Sequence, residues 1–205
     1  MKVSRPIFPT PAQAVTTARL LLRPMTANDV EEFHLLRTQV EVMVYTALGK
    51  VDEDHAATRT WIDRYLHPND STTFVFAVEQ LSDPGVIVGL VGSHIAEPPT
   101  LGYMLRKEFW SFGYATEAVQ GWLIEYWKLP RRELDMQDTM PENAQLHWQG
   151  DTVREAVFAY IESGNIGSIK VLQKCGFRAS GFEEHVSDFR GPAVLVHYYL
   201  ERPVV

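Results

Sequence analysis

The sequence predicts one α/β domain in which mostly antiparallel strands pack against helices. A chain of 205 residues suits one well-buried domain and is short for two. Three apolar segments, at 72–78, 86–92 and 101–105, are separated by short turns rich in Pro and Gly, which favours antiparallel strands. Helical patterns precede and follow these strands, and the chain has no internal repeat. We therefore expect a single domain over residues 1–205.

Composition narrows the range of partners. Hydrophobic residues make up 45% and charged residues 22% of the chain, as in ordinary globular proteins. The 19 Lys and Arg against 26 Asp and Glu give a net charge of −7, which argues against a nucleic-acid partner. Apolar runs are shorter than the ~20 residues that span a bilayer, which argues against a membrane partner. Because Cys175 is the single cysteine and no disulfide forms within the chain, we expect a cytoplasmic protein.

The individual elements follow from local signals. After an extension over residues 1–18, the apolar run at 19–24 predicts an opening strand. Thr26 or Asn28 caps a helix that runs to about Val40, and a second amphipathic helix covers about 54–66. The three antiparallel strands come next. The later predicted elements are a helix at 115–127, a strand at 157–161, a helix at 168–174 and two strands near 178–186 and 193–200.

An acidic insertion interrupts this second half. About 25 residues, 129–153, separate a helix from a strand, where such connections usually take about 2–6. Between Glu133 and Asp151 there are five acidic residues and no Lys or Arg, so this stretch contributes −5 of the net charge of −7. It either gathers a cationic substrate, forms a solvated surface loop or contacts a second copy. The sequence leaves a monomer and a homodimer both open.

The segment Trp110–Ala118, W-S-F-G-Y-A-T-E-A, lies between a predicted strand and a predicted helix. A small-residue turn that opens a helix presents unpaired backbone N–H groups and the positive end of the helix dipole, which together suit phosphate. Gly113 and Ala115 allow a ligand to approach the backbone closely. The pattern also matches a degraded dinucleotide fingerprint, but that fold needs successive βαβ units, and the preceding strands are predicted to be antiparallel. An ordinary strand-to-helix turn is the remaining alternative from this motif alone.

A second motif, N-I-G-S-I-K-V-L-Q-K-C-G-F at Asn165–Phe177, follows the strand at 157–161. With R-L-L-L-R-P at 19–24, the two motifs resemble the GCN5-related N-acetyltransferase (GNAT) superfamily. The resemblance is closest to its ribosomal-protein-acetyltransferase-like (RimJ/RimL-type) branch, in which W-G-x-G-Y-A-T-E-A precedes N-x-x-S-x-x-V-L-x-K-x-G-F. These blocks extend in the family's order from about Arg19 to Arg202, interrupted by the insertion.

The resemblance implies a fold and a co-substrate. The GNAT fold is a central, mixed, mostly antiparallel twisted sheet flanked by helices, and its parallel central strands, here 101–105 and 157–161, splay apart. Acetyl-CoA would lie in that split, with its pyrophosphate on the turn and its pantetheine arm along the preceding strand, and no metal is expected. The residues implied to bind it are Met104, Leu105 and Arg106 through their backbone, Ser111, Phe112, Gly113, Tyr114, Ala115 and Thr116 in the turn, and Asn165 and Ser168 beyond it.

The catalytic candidates come from where the chain departs from the family pattern. In many members a tyrosine four residues before the final glycine protonates the leaving sulfur, but here that position is Leu172. Ser168 matches a serine that the resembling branch offers instead, so it is the predicted general acid, or else a residue that only binds CoA. The branch often has a glutamate where this chain has Thr100. Glu97, three residues earlier, either acts as a base through water or is a solvated turn residue.

Other residues receive plainer interpretations. Ser111 and Phe112 replace a glycine and a basic residue of the family turn, which removes one charge contact to phosphate. Cys175 lies at a helix end in an apolar pattern and is interpreted as core rather than as a nucleophile. Four of the seven histidines are candidate metal ligands but lack the close spacing of such ligands, although His185 could face an acceptor; the four are His94, His147, His185 and His197.

The expected function is transfer of an acetyl group from acetyl-CoA to a primary amine of a small molecule or of a peptide or protein N-terminus, by direct attack. This reaction needs a neutral amine, a polarised carbonyl and a protonated leaving thiolate. The alternative is a CoA-binding regulatory or partner-binding module with weakened catalysis, which Leu172 and Thr100 motivate. An acyl donor larger than acetyl is a third alternative.

Overall fold

The computed structural model describes residues 2–96, 98–135, 148–149, 152–187 and 191–203. Glu97 and most of the acidic segment therefore lie outside the described residues. The helices are α1 Val30–Arg37, α2 Val40–Met43, α3 His55–Ile62, α4 Tyr114–Lys128 and α5 Ile166–Lys174. The strands are β1 Lys2–Pro6, β2 Val15–Thr16, β3 Leu20–Arg23, β4 Phe74–Gln80, β5 Ile87–Ala96, β6 Pro99–Leu105, β7 Arg131–Asp135, β8 Trp148–Gln149, β9 Thr152–Val153, β10 Ala156–Glu162, β11 Arg178–Ser187 and β12 Gly191–Glu201.

The main sheet has eight strands in the order β11-β12-β10-β6-β5-β4-β3-β2. Strands β10 and β6 run parallel, and the other neighbours run antiparallel. The parallel pair is joined at one position, Phe158 opposite Thr100, so the two strands separate towards their carboxyl ends. These features confirm the mixed, mostly antiparallel sheet with splayed central strands, and the antiparallel β4, β5 and β6 exclude the dinucleotide-binding alternative.

Helices cover the two faces of this sheet, and strand alternation divides the core between them. Leu101 and Leu105 of β6 are buried with Trp122 of α4 and Leu172 of α5 on one face. On the other face, Leu90 of β5 is buried with residues of α1 and α3, and Met104 of β6 packs against this cluster. Consecutive residues of β6 therefore belong to different layers. We call these the α4/α5 face and the α1/α3 face.

Helix caps explain where the predicted boundaries shift. Helix α4 begins at Tyr114, one residue earlier than predicted, because Gly113 precedes it in a left-handed conformation with φ of 83°. Helix α5 begins at Ile166 rather than at 168, because the side chain of Asn165 accepts a hydrogen bond from the Ser168 N–H. Helix α3 is shorter than predicted and ends at Ile62, followed by one 3-10 turn.

The N-terminal extension and the start of the insertion each contain a strand, and these two strands pair with each other. Strand β1 pairs antiparallel with β7, from Lys2 opposite Asp135 to Pro6 opposite Arg131. Val3 is 1% exposed in this pairing. The contact joins segments from distant parts of the chain, so neither segment carries a local signal strong enough to predict it. Among the described residues, no helix is long and apolar enough to cross a membrane.

Candidate functional site

A cavity of about 1510 Å³ follows the split between β6 and β10 and continues onto the α1/α3 face. The carboxyl half of β6, the turn before α4 and the start of α5 form one part of its wall. The segment from α2 to α3 forms another part. Of the residues that the sequence singles out, the cavity brings together Met104, Leu105, Ser111, Gly113, Tyr114, Ala115, Thr116, Asn165 and Ser168, whereas Arg106 and Phe112 are outside its lining.

The turn before α4 has an unusual backbone. Ser111 has φ of 67° and Gly113 has φ of 83°, so two residues of the turn are left-handed. The Ser111 conformation explains why the related pattern has glycine at this position. The first N–H groups of the 15-residue α4 lack acceptors within the helix and point out of its end. The turn therefore offers the geometry of an anion site.

Arg19 reaches this turn from the edge of β3, a contact that the sequence analysis missed. Its Nη1 donates to the carbonyl of Phe112 at 3.0 Å, and its guanidinium lies 4.6 Å from the centre of the Tyr114 ring. A Cβ placed on Gly113 would lie 3.5 Å from Arg19 Nη2. Its Nη2 is ion-paired with Glu117 at 2.7 Å, and because the side chain is 48% exposed, the rest of the guanidinium remains accessible to an anion. The sequence predicts a lost charge contact at Phe112, and Arg19 brings a positive charge to the same turn.

The hydrogen-bond alternation of β6 determines which backbone groups face the split. The Arg106 N–H donates to Val88 of β5 at 2.8 Å, and the register continues without interruption back to Gly102 opposite Gly92. Because hydrogen-bonded pairs alternate in an antiparallel ladder, Met104 also directs its backbone groups at β5. Those of Tyr103 and Leu105 face the split.

This result differs from the expectation that Met104, Leu105 and Arg106 together bind a ligand through their backbone. The Arg106 carbonyl accepts a hydrogen bond from Phe109, and its side chain bonds Glu32 and Glu108. Within this segment, the backbone groups of Tyr103 and the N–H of Leu105 therefore form the free strand edge. The Leu105 carbonyl also accepts from the Trp110 indole at 2.8 Å, which ties the strand end to the turn.

Asn165, Ser168 and Tyr103 meet where α5 begins. The Ser168 N–H donates to Asn165 Oδ1 at 3.1 Å, which leaves the amide nitrogen of Asn165 as its donor. The Tyr103 hydroxyl donates to the Ser168 carbonyl at 2.9 Å. Burial raises the pKa of Tyr103, so its phenol stays protonated. Leu172, where many family members have tyrosine, is 0% exposed and belongs to the core.

A buried ion pair supports the cavity wall on the α1/α3 face. Arg37 donates to both oxygens of Asp52, from Nε at 2.6 Å and from Nη2 at 2.7 Å, and Thr58 adds a hydrogen bond at 2.8 Å. Burial alone would raise the pKa of Asp52, but the hydrogen bonds from Arg37 and Thr58 outweigh it and lower the pKa. Arg37 also lies 4.3 Å from the centre of the Trp61 ring. The pair thus fixes the position of this wall.

Several other candidate residues from the sequence are buried or packed against the core. Burial raises the pKa of Cys175 to about 11, so its thiol stays protonated at neutral pH, and the side chain packs against the core. Thr100 is buried and donates to the carbonyl of Pro98. His197 is 8% exposed and lies edge-on to Tyr160. The described residues contain no group of three or more potential metal ligands. His147 and the side chain of His185 lie outside the description.

Comparison with known proteins gives one family match. The model of the acetyltransferase (GNAT) domain family matches residues 19–178. No curated protein matches the chain in sequence.

Solved structures share the fold at low identity. A GNAT-family acetyltransferase from Bacillus anthracis is 20% identical, with a TM-score of 0.69, over 93% of this chain and 99% of that one. A spermidine N-acetyltransferase from Vibrio cholerae, in complex with CoA and spermine, is 15% identical, with a TM-score of 0.67, over 91% and 97%. RimL, a ribosomal L7/L12 alpha-N-protein acetyltransferase in complex with CoA, is 14% identical, with a TM-score of 0.70, over 92% and 98%.

Proposed function

The chain belongs to the GNAT acetyltransferase family, and on that premise we propose that it transfers an acetyl group from acetyl-CoA to a primary amine of a small molecule or of a peptide or protein N-terminus. The observation that carries the proposal is the cavity that joins the split of the sheet to the left-handed turn before α4. It offers an anion site at one end and a free strand edge beside it. With Cys175 unpaired, we place the protein in the cytoplasm.

The donor would be held by backbone groups and by one charged side chain. The N–H groups at the start of α4 suit a pyrophosphate, and Arg19 supplies a guanidinium beside them. Backbone groups of Tyr103 and Leu105 suit the amides of the pantetheine arm, which would lie along β6 like an added strand. The amide nitrogen of Asn165 can donate to the same arm.

Two groups on the chain would serve the chemistry. A backbone N–H of β6 that faces the split polarises the thioester carbonyl and stabilises the negative charge that develops on its oxygen. The hydroxyl of Ser168, at the start of α5, donates a proton to the departing thiolate. Glu97, which the sequence offers as a base, lies outside the described residues, and its role stays a prediction.

Direct attack of the amine fits the surroundings of Cys175. A nucleophilic cysteine needs an accessible thiolate, whereas burial raises the pKa of this thiol to about 11, and its Sγ lies 3.8 Å from the carbonyl of Thr116. The reaction then needs no covalent acyl-enzyme, and proximity in the cavity supplies much of the acceleration.

The test is an acceptor screen with acetyl-CoA, in which thiol release and product mass are measured together. The panel should contain polyamines, other small primary amines and peptides with free N-termini, because the structural neighbours include a spermidine N-acetyltransferase and an alpha-N-protein acetyltransferase. We expect one class to give an acetylated product and an equal amount of free CoA. Binding of CoA without transfer to any acceptor would contradict the proposal.

A further inference from the structure

His94 lies at a β-bulge in β5. Strand β5 pairs Ser93 with Leu101 and Ile95 with Thr100, so His94 is an extra residue without a partner on β6. Bulges re-aim one side chain and are enriched beside active sites. The imidazole lines the cavity together with Gly102 and Met104. It is exposed to the cavity, yet the surrounding protein lowers its pKa, so the ring is neutral at neutral pH.

A missing side chain makes room for this imidazole. A Cβ built on Gly102 would lie 3.1 Å from His94 Nδ1 and 3.2 Å from Cε1. The ring therefore packs directly over the backbone of β6, one residue before Tyr103, whose backbone faces the split. The φ of Gly102 is not positive, so residues other than glycine can adopt its backbone conformation. The glycine is needed here for space rather than for backbone freedom.

The two sides of β6 separate the proposed acid from His94. Tyr103 and Ser168 meet on the α4/α5 face, where Tyr103 packs against the core. Gly102 lies on the α1/α3 face, because it is two residues from Met104, which packs against the core cluster of that face. His94 is on this second face with Gly102. A thioester held in the split would thus have a proton donor on one side and a neutral imidazole on the other.

We propose that His94 is the catalytic base that takes the proton from the attacking amine, an inference that rests on the proposed function. The amine nitrogen bonds to the carbonyl carbon, and the carbonyl electron pair moves to the oxygen. The nitrogen then carries a positive charge, and its proton passes to the unprotonated imidazole nitrogen. The carbonyl re-forms as the C–S bond breaks, and the departing thiolate takes the proton of the Ser168 hydroxyl, which regains a proton from solvent. His94 gives its proton to solvent before the next turnover.

The first test compares His94→Ala and His94→Gln with His67→Ala, a control at an exposed histidine before a surface 3-10 turn. We expect both His94 variants to lose about 100-fold or more in kcat, with the CoA affinity from calorimetry unchanged, and His67→Ala to match the wild type. Added imidazoles should rescue His94→Ala, with rates that rise with the pKa of the added base. Wild-type kcat in both His94 variants would overturn the proposal, as would a loss that no imidazole rescues.

A second readout does not depend on turnover. The imidazole resonances of His94, assigned by their loss in His94→Gln, should shift when the accepted amine is added to the wild type bound to CoA. Unchanged resonances would overturn the assignment. Gly102→Ala should move the ring and reduce kcat with CoA affinity retained, whereas full activity would contradict the role of this space. If the wild type binds CoA but acetylates no amine, the proposed function fails as well, and this outcome differs from a failure of His94 alone.

Discussion

Glu117 of α4 holds Arg19, 98 positions earlier in the chain, by two hydrogen bonds. Glu117 Oε1 accepts from the Arg19 N–H at 2.8 Å, and Oε2 accepts from Arg19 Nε at 2.7 Å. Thr17 adds a third hydrogen bond at 2.7 Å. Partial burial would raise the pKa of Glu117, but the hydrogen bonds from Thr17 and Arg19 outweigh it and lower the pKa. Glu117 thereby fixes the strand edge that brings a guanidinium to the phosphate turn.

The hydrogen bonds of Glu117 predict a loss of stability when its carboxylate is removed. Urea denaturation should show that Glu117→Ala lowers the free energy of unfolding by about 2 kcal/mol, because three donors lose a charged acceptor. Glu125→Ala breaks an exposed ion pair with Lys128 on the same helix and should cost less than about 0.5 kcal/mol. Equal costs for the two variants would contradict the assigned role of Glu117.

Arg19→Ala should also weaken CoA binding by about tenfold at low salt, since it removes a positive charge beside the turn. The deficit should shrink as salt screens the wild-type contact, which calorimetry at two ionic strengths can measure. A CoA affinity that does not change in Arg19→Ala would remove Arg19 from the binding site.

Replacing Gly113 should weaken CoA binding, and this effect can be separated from the backbone strain that the replacement causes. Gly113→Ala places a side chain at φ of 83°, and Gly85→Ala does so at φ of 94° in the turn before β5. Both variants should lose about 1 kcal/mol of stability. In Gly113→Ala alone the methyl group also obstructs the approach of phosphate, so the dissociation constant for CoA should rise about tenfold or more. Parallel losses of affinity in both variants would indicate that the turn is not the phosphate site.

Ser168 predicts a kinetic rather than a binding defect. Ser168→Ala removes the hydroxyl but keeps the backbone contacts to Asn165 and Tyr103. We expect kcat to fall by about 10- to 100-fold with the KM for acetyl-CoA nearly unchanged. Ser163→Ala, at an exposed serine just before this helix, is the control and should leave both constants unchanged. A rise in KM without a change in kcat would make Ser168 a binding residue only.

Asp52 predicts how stability depends on pH. Its pKa is lowered in the folded state, so its contribution is present above the ordinary value of 3.8 and is lost as the pH falls through the folded pKa. Asp52→Asn leaves the buried charge of Arg37 without its partner and should cost about 3–5 kcal/mol at neutral pH. Urea unfolding should therefore show a smaller acid-induced loss in Asp52→Asn than in the wild type, whereas Asp83→Asn, in an exposed turn, should behave as the wild type. Identical acid profiles for wild type and Asp52→Asn would contradict this.

Features that depend on local sequence were predictable. The β-branched and aromatic runs of β4 and β5 predict those strands, and Gly176 predicts the end of α5, where its φ is 87°. Features that depend on contacts between distant segments were not. The pairing of β1 with β7 and the reach of Arg19 to Phe112 join residues whose local sequences carry no common pattern.

In the candidate site, too, features set by local sequence were predictable and features set by distant contacts were not. The two motifs predict where the turn and α5 lie, because a helix start carries its own capping signals. They do not determine which backbone groups of β6 face the split, because that depends on hydrogen bonding to β5. The bulge at His94 also depends on register, and a histidine between two apolar strand segments gives no local sign of it.

The most direct test of the central claim is mass spectrometry of both protein and acceptor after incubation with acetyl-CoA. With an accepted amine, we expect the amine to gain one acetyl group, free CoA to appear in equal amount and the protein mass to stay unchanged, in the wild type and in Cys175→Ala alike. An acetylated protein that transfers its acetyl group to the amine, together with an inactive but folded Cys175→Ala, would contradict direct attack. CoA binding with no acetylated amine across the panel would contradict the enzymatic function itself.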